Sequence, residues 1–278
     1  GMVNQFKNLP HLIGSITNID GREIERSLQS IRAELKKRQE LFAQYDVNHI
    51  DAYIRLSRQG KTEVPLPHLI IIVDEFAELK REQPDFMKEL VSAARIGRSL
   101  GVHLILATQK PSGVVDPQIW SNSRFKLCLK VQTQADSNEV LKTPLAAEIR
   151  EPGRAYLQVG NNEIFELFQS AYSGVPAGGH VSGKTNSFQI SRVSLSGKRT
   201  VVYKQSPQKS EQGSENQLTS VVNYIADFCE KSHLKQLPYI CLPTLAEKIA
   251  LRDLKENTDR TTGLTVPLGI YDDPDRQY

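Results

Sequence analysis

The sequence predicts an α/β fold with a largely parallel sheet, and three patterns support that prediction. Residues 69–73 (LIIIV) are five consecutive apolar residues, four of them β-branched, which is typical of a strand buried on both faces. Residues 103–107 (HLILA) predict a second buried strand. Between them, residues 84–100 predict a helix, with Pro84 in its first turn and Gly101 at its C-terminal cap. Strands that alternate with helices in this way usually form parallel sheets.

The segment before this pattern predicts a strand and a long helix. Residues 11–18 are typical of a short strand, and Asp20 with Glu23 forms a capping box that would begin the helix. Within the helix, one apolar stripe recurs at spacings of three, four and seven and is expected to face a core: Ile24, Leu28, Ile31, Leu35 and Phe42. Residues 60–67 are polar and contain prolines, which indicates a connection to the strand at 69–73.

The segment after the pattern predicts an antiparallel edge. Apolar and polar residues alternate over 125–131, so a third strand is expected there with one half-exposed face. Residues 139–149 predict a short pair of helices. Strands at 155–159 and 163–169 flank a Gly-Asn-Asn turn, which is a hairpin signature. The α/β domain is expected to end near Ser173.

Beyond residue 174 the composition shifts to Gly, Ser, Lys and Gln, which is typical of a linker region. Residues 205–217 are its most loop-like part. Residues 188–193 and 200–203 predict two paired strands, and the apolar residues along 218–229 predict an amphipathic helix. These elements are expected to form a small appendage.

Composition narrows the class of protein. The 278 residues are 39% hydrophobic, enough to bury one main core and a small second one. Charged residues make up 24% and the net charge is +3, so charge alone does not indicate a nucleic-acid partner. The three cysteines lack the spacing of a zinc site or a disulfide framework. The sequence contains neither an apolar run long enough for a membrane-spanning helix nor the pattern of a signal peptide.

Asp74 and Glu75 directly follow the predicted strand at 69–73. In phosphoryl-transfer sites, an aspartate at the carboxyl end of such a strand holds Mg²⁺ or its water shell, and an adjacent glutamate orients and deprotonates the attacking water. The pattern is therefore that of a Walker B motif. An acidic pair that merely leaves a buried strand is the alternative, and these two residues alone do not decide between them.

Thr108 and Gln109 follow the next strand, where a motor protein would place a residue that senses the γ-phosphate and hydrogen-bonds the attacking water. An ordinary exit from strand to loop is the alternative. Arg95 and Arg98 lie three residues apart on the intervening helix, so one of them is a candidate arginine finger. A solvated helix face is the alternative for either arginine, and it is the commoner situation.

Residues 178–185 (GGHVSGKT) match the phosphate-binding pattern GxxxxGK[ST] letter for letter. Such a loop must leave a buried strand and open a helix. Residues 173–176 (SGVP) before it and the strand-like residues 188–195 after it do not provide that context. The match also follows the Walker B strand, which reverses the usual order. We therefore interpret it as part of the linker.

Several stretches resemble the FtsK/SpoIIIE-type ATPases, namely residues 73–80 (VDEFAELK), 84–113 and 121–141. Residues 6–21 and 152–174 extend the resemblance over most of the first 174 residues. Within that family, the chain resembles in particular the second ATPase module of the membrane-anchored secretion ATPases of type VII systems in Firmicutes.

The resemblance implies a RecA-like P-loop fold that is truncated at its N-terminal Walker A end, because the family's Walker A lies upstream of residues 6–21. It implies an ATPase module over 1–174, an inter-module linker or appendage over 175–262 and the start of the next module over 263–278. It also implies that such modules lie in tandem on the cytoplasmic side of a transmembrane anchor. The intact module is expected to use ATP and Mg²⁺.

Carried over residue by residue, the resemblance implies Asp74 as the carboxylate on the Mg²⁺ side, acting through water, and Glu75 as the carboxylate that activates water. Gln109, together with Thr108, matches the sensor position. The candidates for the arginine finger are Arg95, Arg98 and Arg38.

The resemblance also implies that the parent protein converts nucleotide binding into movement or gating during export of small helical effector proteins. The expected partners are the neighbouring modules of the same chain, further copies in a multimer and the effectors, whereas nucleic acid is not expected. Without a phosphate-cradling loop, this chain alone is expected to bind neither ATP nor Mg²⁺ and to be inactive. A DNA-translocase module and a non-catalytic interaction platform remain alternative functions.

Overall fold

The computed structural model describes residues 5–16, 21–111, 113, 115, 117–177, 189–204, 215–234, 237–241, 245, 248–250 and 270–274. The chain divides into two compact units. The large unit comprises Ile13–Ser170 and Leu237–Tyr278, and the small unit comprises Gly1–Leu12 and Ala171–Gln236. The limits given above for the modules, at residues 174 and 262, remain predictions.

The large unit begins with two helices, α1 (Gly21–Gln44) and α2 (Ile50–Arg58). The stripe predicted for α1 is confirmed, because all five of its apolar residues are buried. The strand predicted over 11–18 is wrong for residues 11–16, which form no strand, and residues 17 and 18 lie outside the described residues. Asp20 of the predicted capping box also lies outside them.

A parallel pair of strands forms the centre of the large unit. Strands β1 (Leu69–Val73) and β2 (Val102–Leu106) pair in register along their whole length. Two helices connect them, α3 (Phe76–Glu82) and α4 (Pro84–Gly97). The strand and helix predictions here are confirmed, although α4 ends at Gly97 and Arg98 is its C-cap.

One face of this strand pair packs on the main core, and the other does not. Side chains of α1, α2 and α4, together with Phe76 at the start of α3, fill the packed side. On the opposite side Ile70, Ile72 and Ile105 are exposed. The predictions that β1 is buried on both faces and that β2 is a buried strand are therefore wrong for their outer side, because the described part of the chain supplies no layer to cover it.

A second sheet in the large unit is antiparallel and follows α5 (Pro117–Asn122). Its strand order is β3 (Phe125–Leu129), β4 (Arg154–Val159) and β5 (Ile164–Gln169), which confirms the predicted hairpin. Helix α6 (Gln134–Leu141) and a short 3-10 helix (Leu145–Glu148) pack on the face of β3 that carries Cys128. The three apolar side chains of β3 are exposed, so this strand is half exposed with its apolar side outward: Phe125, Leu127 and Leu129.

The small unit contains a hairpin and a helix. Strands β6 (Gln189–Val193) and β7 (Arg199–Lys204) pair antiparallel, and α7 (Gln217–Lys231) buries Val222. The paired strands and the helix predicted for the appendage are therefore confirmed. The GGHVSGKT stretch at 178–185 lies outside the described residues. Among the helices that the structure describes, none is both long and apolar enough to cross a membrane.

Candidate functional site

The carboxyl ends of β1 and β2 lie side by side, because the two strands are parallel and in register up to their last residues. The backbone pairing continues beyond the strands. The Ala107 amide donates to the Val73 carbonyl at 2.9 Å, and the Phe76 amide donates to the Ala107 carbonyl at 2.9 Å. The residues that follow each strand, Asp74 with Glu75 and Thr108 with Gln109, are thereby held at the same edge of the sheet.

Glu75 has a left-handed backbone conformation, with φ 52° and ψ 46°. For a residue other than glycine this conformation costs about 1–3 kcal/mol, and such residues cluster at functional sites. The neighbours explain how it is maintained. Phe76 is buried in the core, and the Glu75 carbonyl accepts the Glu78 amide at 3.0 Å as the N-cap of α3.

The Glu75 side chain binds the end of the neighbouring strand. Its Oε1 atom accepts the Thr108 hydroxyl at 3.2 Å and the Gln109 backbone amide at 3.1 Å. The Thr108 hydroxyl oxygen in turn accepts the Lys110 amide at 3.2 Å. The structure therefore brings together three residues that the sequence placed at two separate strand ends.

Asp74 precedes Glu75 and is exposed. Mg²⁺ is commonly held by one or two carboxylates with waters and substrate phosphates completing the octahedron. No group of three or more His, Cys, Asp or Glu side chains among the described residues is arranged to hold a metal ion. A single open carboxylate suits indirect binding of Mg²⁺ beside a nucleotide, and it does not suit a metal site built from protein ligands alone.

Arg95 and Arg98 are exposed and lie at the C-terminal end of α4. This end of α4 leads directly into the start of β2. The start of β1 lies beside it, because the Leu69 amide donates to the Gly101 carbonyl at 2.9 Å. A strand of five residues spans roughly 16 Å. The arginines are therefore at the opposite edge of the sheet from Glu75, and the chain does not bring them to its own site.

Arg38 has a different environment from the other two arginines. It is 2% exposed. Its Nε donates to Glu34 Oε1 at 2.8 Å, and its Nη1 donates to the Leu100 carbonyl at 2.8 Å. A guanidinium that is enclosed in this way ties α1 to the connection between α4 and β2, and it cannot extend toward a nucleotide. The prediction of Arg38 as an arginine finger is not supported by its position.

Sequence reasoning missed how Glu75 and Thr108 interact. Both had been identified, but separately, one as a base and the other as part of a sensor. Nothing in the letters Asp-Glu-Phe indicates a left-handed backbone at the glutamate. The pairing of a polar residue after each of two adjacent parallel strands was the available signal, since such residues meet at one sheet edge.

Comparisons with known proteins show which proteins this chain resembles. The profile of the FtsK/SpoIIIE family matches residues 1–113. The chain is 53% identical over 290 aligned residues to the type VII secretion system protein EssC of Staphylococcus aureus (strain Mu50 / ATCC 700699), which covers 100% of this chain and 20% of EssC. The cytoplasmic domain of the type VII secretion ATPase EccC of Thermomonospora curvata superposes with a TM-score of 0.67 at 25% identity, covering 86% of this chain and 24% of EccC.

A further solved structure, ATPases 2 and 3 of EssC from Geobacillus thermodenitrificans, superposes with a TM-score of 0.60 over 93% of this chain and 41% of that one. At 18% identity this match shows the fold alone. The fold is thus the RecA-like α/β fold of these ATPase modules. The chain spans about one fifth of the length of the EssC relative. The chain is thus similar to the FtsK/SpoIIIE family over its first 113 residues and to EssC along its whole length.

Proposed function

We propose that this chain is the Walker B part of an ATPase module that energises or gates protein export through a type VII secretion system. The observation that carries the proposal is the cluster at the ends of β1 and β2, where the Glu75 carboxylate is held by Thr108 and Gln109. The identity to EssC over the whole chain supports the secretion system as its setting.

The residues of the cluster have distinct roles in this proposal. Similarity to an ATPase family implies that the intact module uses a nucleotide and Mg²⁺. Asp74 would hold the water shell of a Mg²⁺ ion, and that ion would neutralise charge on the phosphates. Glu75 accepts a proton from the attacking water. Gln109 and Thr108 occupy the sensor position next to it.

Arg95 and Arg98 fit the proposal only as residues that act on another subunit. They lie at the opposite edge of the sheet from Glu75 and are exposed, so a neighbouring module would receive them at its own nucleotide. This role requires self-association of the parent protein into a multimer. Arg38 does not fit this role, because its side chain is buried.

The parent protein is proposed to place this module on the cytoplasmic side of a membrane anchor, beside further modules of the same chain. The solved EccC relative is described as a cytoplasmic domain, and the solved EssC relative contains ATPases 2 and 3 in one chain, which supports this arrangement. We propose small helical effector proteins as the cargo. The limits 1–174 for the module, 175–262 for the linker and 263–278 for the next module belong to the same proposal.

Calorimetry with ATP and Mg²⁺ tests whether this chain needs an upstream phosphate-binding loop. The chain is compared with a version extended upstream to include that loop, each with and without Glu75→Gln. We expect that only the extended version binds, because backbone amides of the loop supply most of the binding energy for the phosphates. Glu75→Gln should leave binding nearly unchanged and reduce hydrolysis by roughly 100-fold or more, since it removes a base.

Tight ATP binding by this chain alone would indicate that a different loop binds the phosphates. If this chain binds ATP tightly and Lys184→Ala abolishes that binding, the GGHVSGKT stretch at 178–185 is a true phosphate-binding loop. The proposed order of the module would then be wrong. Binding by neither version would contradict the ATPase proposal itself.

A further inference from the structure

We propose that Thr108 is a positioning residue for Glu75, whose hydroxyl fixes one carboxylate oxygen so that the other takes the proton of the attacking water. This inference rests on the proposed ATPase function. It differs from a sensor role, because in it Thr108 acts on Glu75 and needs no contact with the γ-phosphate.

Two donors converge on a single oxygen of Glu75. The Thr108 hydroxyl and the Gln109 backbone amide both reach Oε1, at 3.2 Å and 3.1 Å. Within the described part of the chain, no hydrogen bond is recorded for Oε2. A carboxylate with one oxygen held by two donors has its plane fixed, and its remaining oxygen keeps lone pairs available for a proton.

The backbone on both sides of this contact is held rigidly. Glu75 lies between the paired end of β1 and the buried Phe76, and Thr108 directly follows Ala107, which pairs with both Val73 and Phe76. The separation of the Glu75 and Thr108 backbones is therefore set by the sheet. A left-handed Glu75 places its side chain across this separation at the cost of backbone strain.

The reaction step balances with these groups. The water oxygen forms a bond to the γ-phosphorus, and the bond between that phosphorus and the bridging oxygen breaks, with its electron pair leaving on ADP. The proton of the water passes to Glu75 Oε2, and it leaves later with phosphate or to solvent. Thr108 and Gln109 keep their hydrogen bonds to Oε1 throughout, so neither takes part in proton transfer.

Thr108 also has a purely structural contact, which the test has to separate from the proposed role. Its hydroxyl oxygen accepts the Lys110 amide at 3.2 Å. The Lys110 carbonyl, at 3.4 Å, is a second and more distant acceptor for the hydroxyl proton that Glu75 Oε1 accepts at 3.2 Å. Loss of the hydroxyl would therefore also loosen the loop after β2. Thr108→Val keeps the shape of the side chain and removes the hydroxyl, whereas Thr108→Ser keeps the hydroxyl and removes only the methyl group.

The experiment measures steady-state ATP hydrolysis by the parent protein, wild type and variants. We expect Thr108→Val to lower kcat by roughly tenfold to 100-fold, because a misplaced base loses alignment with the water. KM and ATP affinity should change less than about twofold, since substrate binding is not involved. The Thr108→Ser variant should keep a kcat within roughly threefold of the wild-type value. In a Glu75→Gln background, Thr108→Val should cause little further loss, because the base is already absent.

Other outcomes would overturn the inference, and they are distinguishable from failure of the ATPase proposal. Hydrolysis that is unaffected by Thr108→Val, or reduced equally by Thr108→Ser, excludes the positioning role. A full additional loss in the Glu75→Gln background shows that Thr108 acts independently of Glu75. If the wild-type protein shows no hydrolysis that depends on Glu75, the proposed function fails, and the inference fails with it.

Discussion

The backbone of Glu75 can be tested separately from its carboxylate. In the left-handed conformation a Cβ atom is strained, whereas glycine adopts it readily. We therefore expect Glu75→Gly to give a more stable chain than Glu75→Ala, by about 1 kcal/mol. The difference in free energy of unfolding is measured in urea for the two variants, both of which lack the carboxylate.

Glu78 provides the matched control for this prediction. It lies in α3 and is exposed, and its backbone is helical. At a helical position glycine is about 1 kcal/mol less favourable than alanine, so the same two substitutions should have the opposite order of stability there. If the glycine variant is less stable than the alanine variant at both positions, the left-handed geometry assigned to Glu75 is wrong.

At the scale of elements, the starts of β1 and β2 carry a pair of histidines. The Nδ1 atom of His68 and the Nε2 atom of His103 are 2.9 Å apart. Burial lowers the pKa of His103 below its ordinary value, and the nearby His68 and Arg38 lower it further. The folded chain therefore resists protonation of His103 more than the unfolded chain does.

This asymmetry predicts how stability depends on pH. Because the pKa of His103 is lower in the folded state, the unfolded state gains the proton first as pH falls below about 6.5. Its contribution to stability is present at pH 7.5 and is lost as pH falls through the folded pKa. We expect His103→Gln to reduce the fall in Tm between pH 7.5 and pH 5.5.

The variant separates this contribution from those of the other ionisable groups in the chain. Both proteins carry those other groups, so the difference between the two Tm profiles reports on the histidine pair. Profiles that run parallel across the whole range would show that His103 does not contribute, and the pairing at the strand starts would then be energetically neutral.

The elements themselves were largely predictable from sequence, because most show a helical period, a strand alternation or a continuous apolar run. The stripe of α1 and the continuous apolar run of β1 predicted their elements correctly. The same run gave a wrong prediction for the outer face of β1. An apolar sequence shows that a strand is suited to burial on both faces, but it does not show whether this chain supplies a layer that covers each face. The enclosure of Arg38 was missed, although its position three residues after Leu35 and four before Phe42 places it on the buried stripe of α1.

At the scale of the whole molecule, both sheets of the large unit carry uncovered apolar side chains. They are 50% to 70% exposed: Ile70, Ile72, Ile105, Phe125, Leu127 and Leu129. Parallel sheets are usually covered on both faces, and exposed apolar patches of this kind favour association. Ile72 and Ile105 are register partners on neighbouring strands, so they form the centre of the outer face of the β1 and β2 pair.

We expect the isolated chain to self-associate through this outer face. The double variant Ile72→Thr and Ile105→Thr should reduce self-association in sedimentation velocity, and its free energy of unfolding should change by less than about 1 kcal/mol, because both side chains are already exposed. Ile71 and Leu104 are also register partners, but they pack on the main core. The double variant Ile71→Thr and Leu104→Thr should therefore lower the free energy of unfolding by about 2–4 kcal/mol. It leaves the outer face of the strand pair unchanged. Equal destabilisation by the two double variants, or undiminished association of the outer one, would show that the outer face is not what draws the chains together.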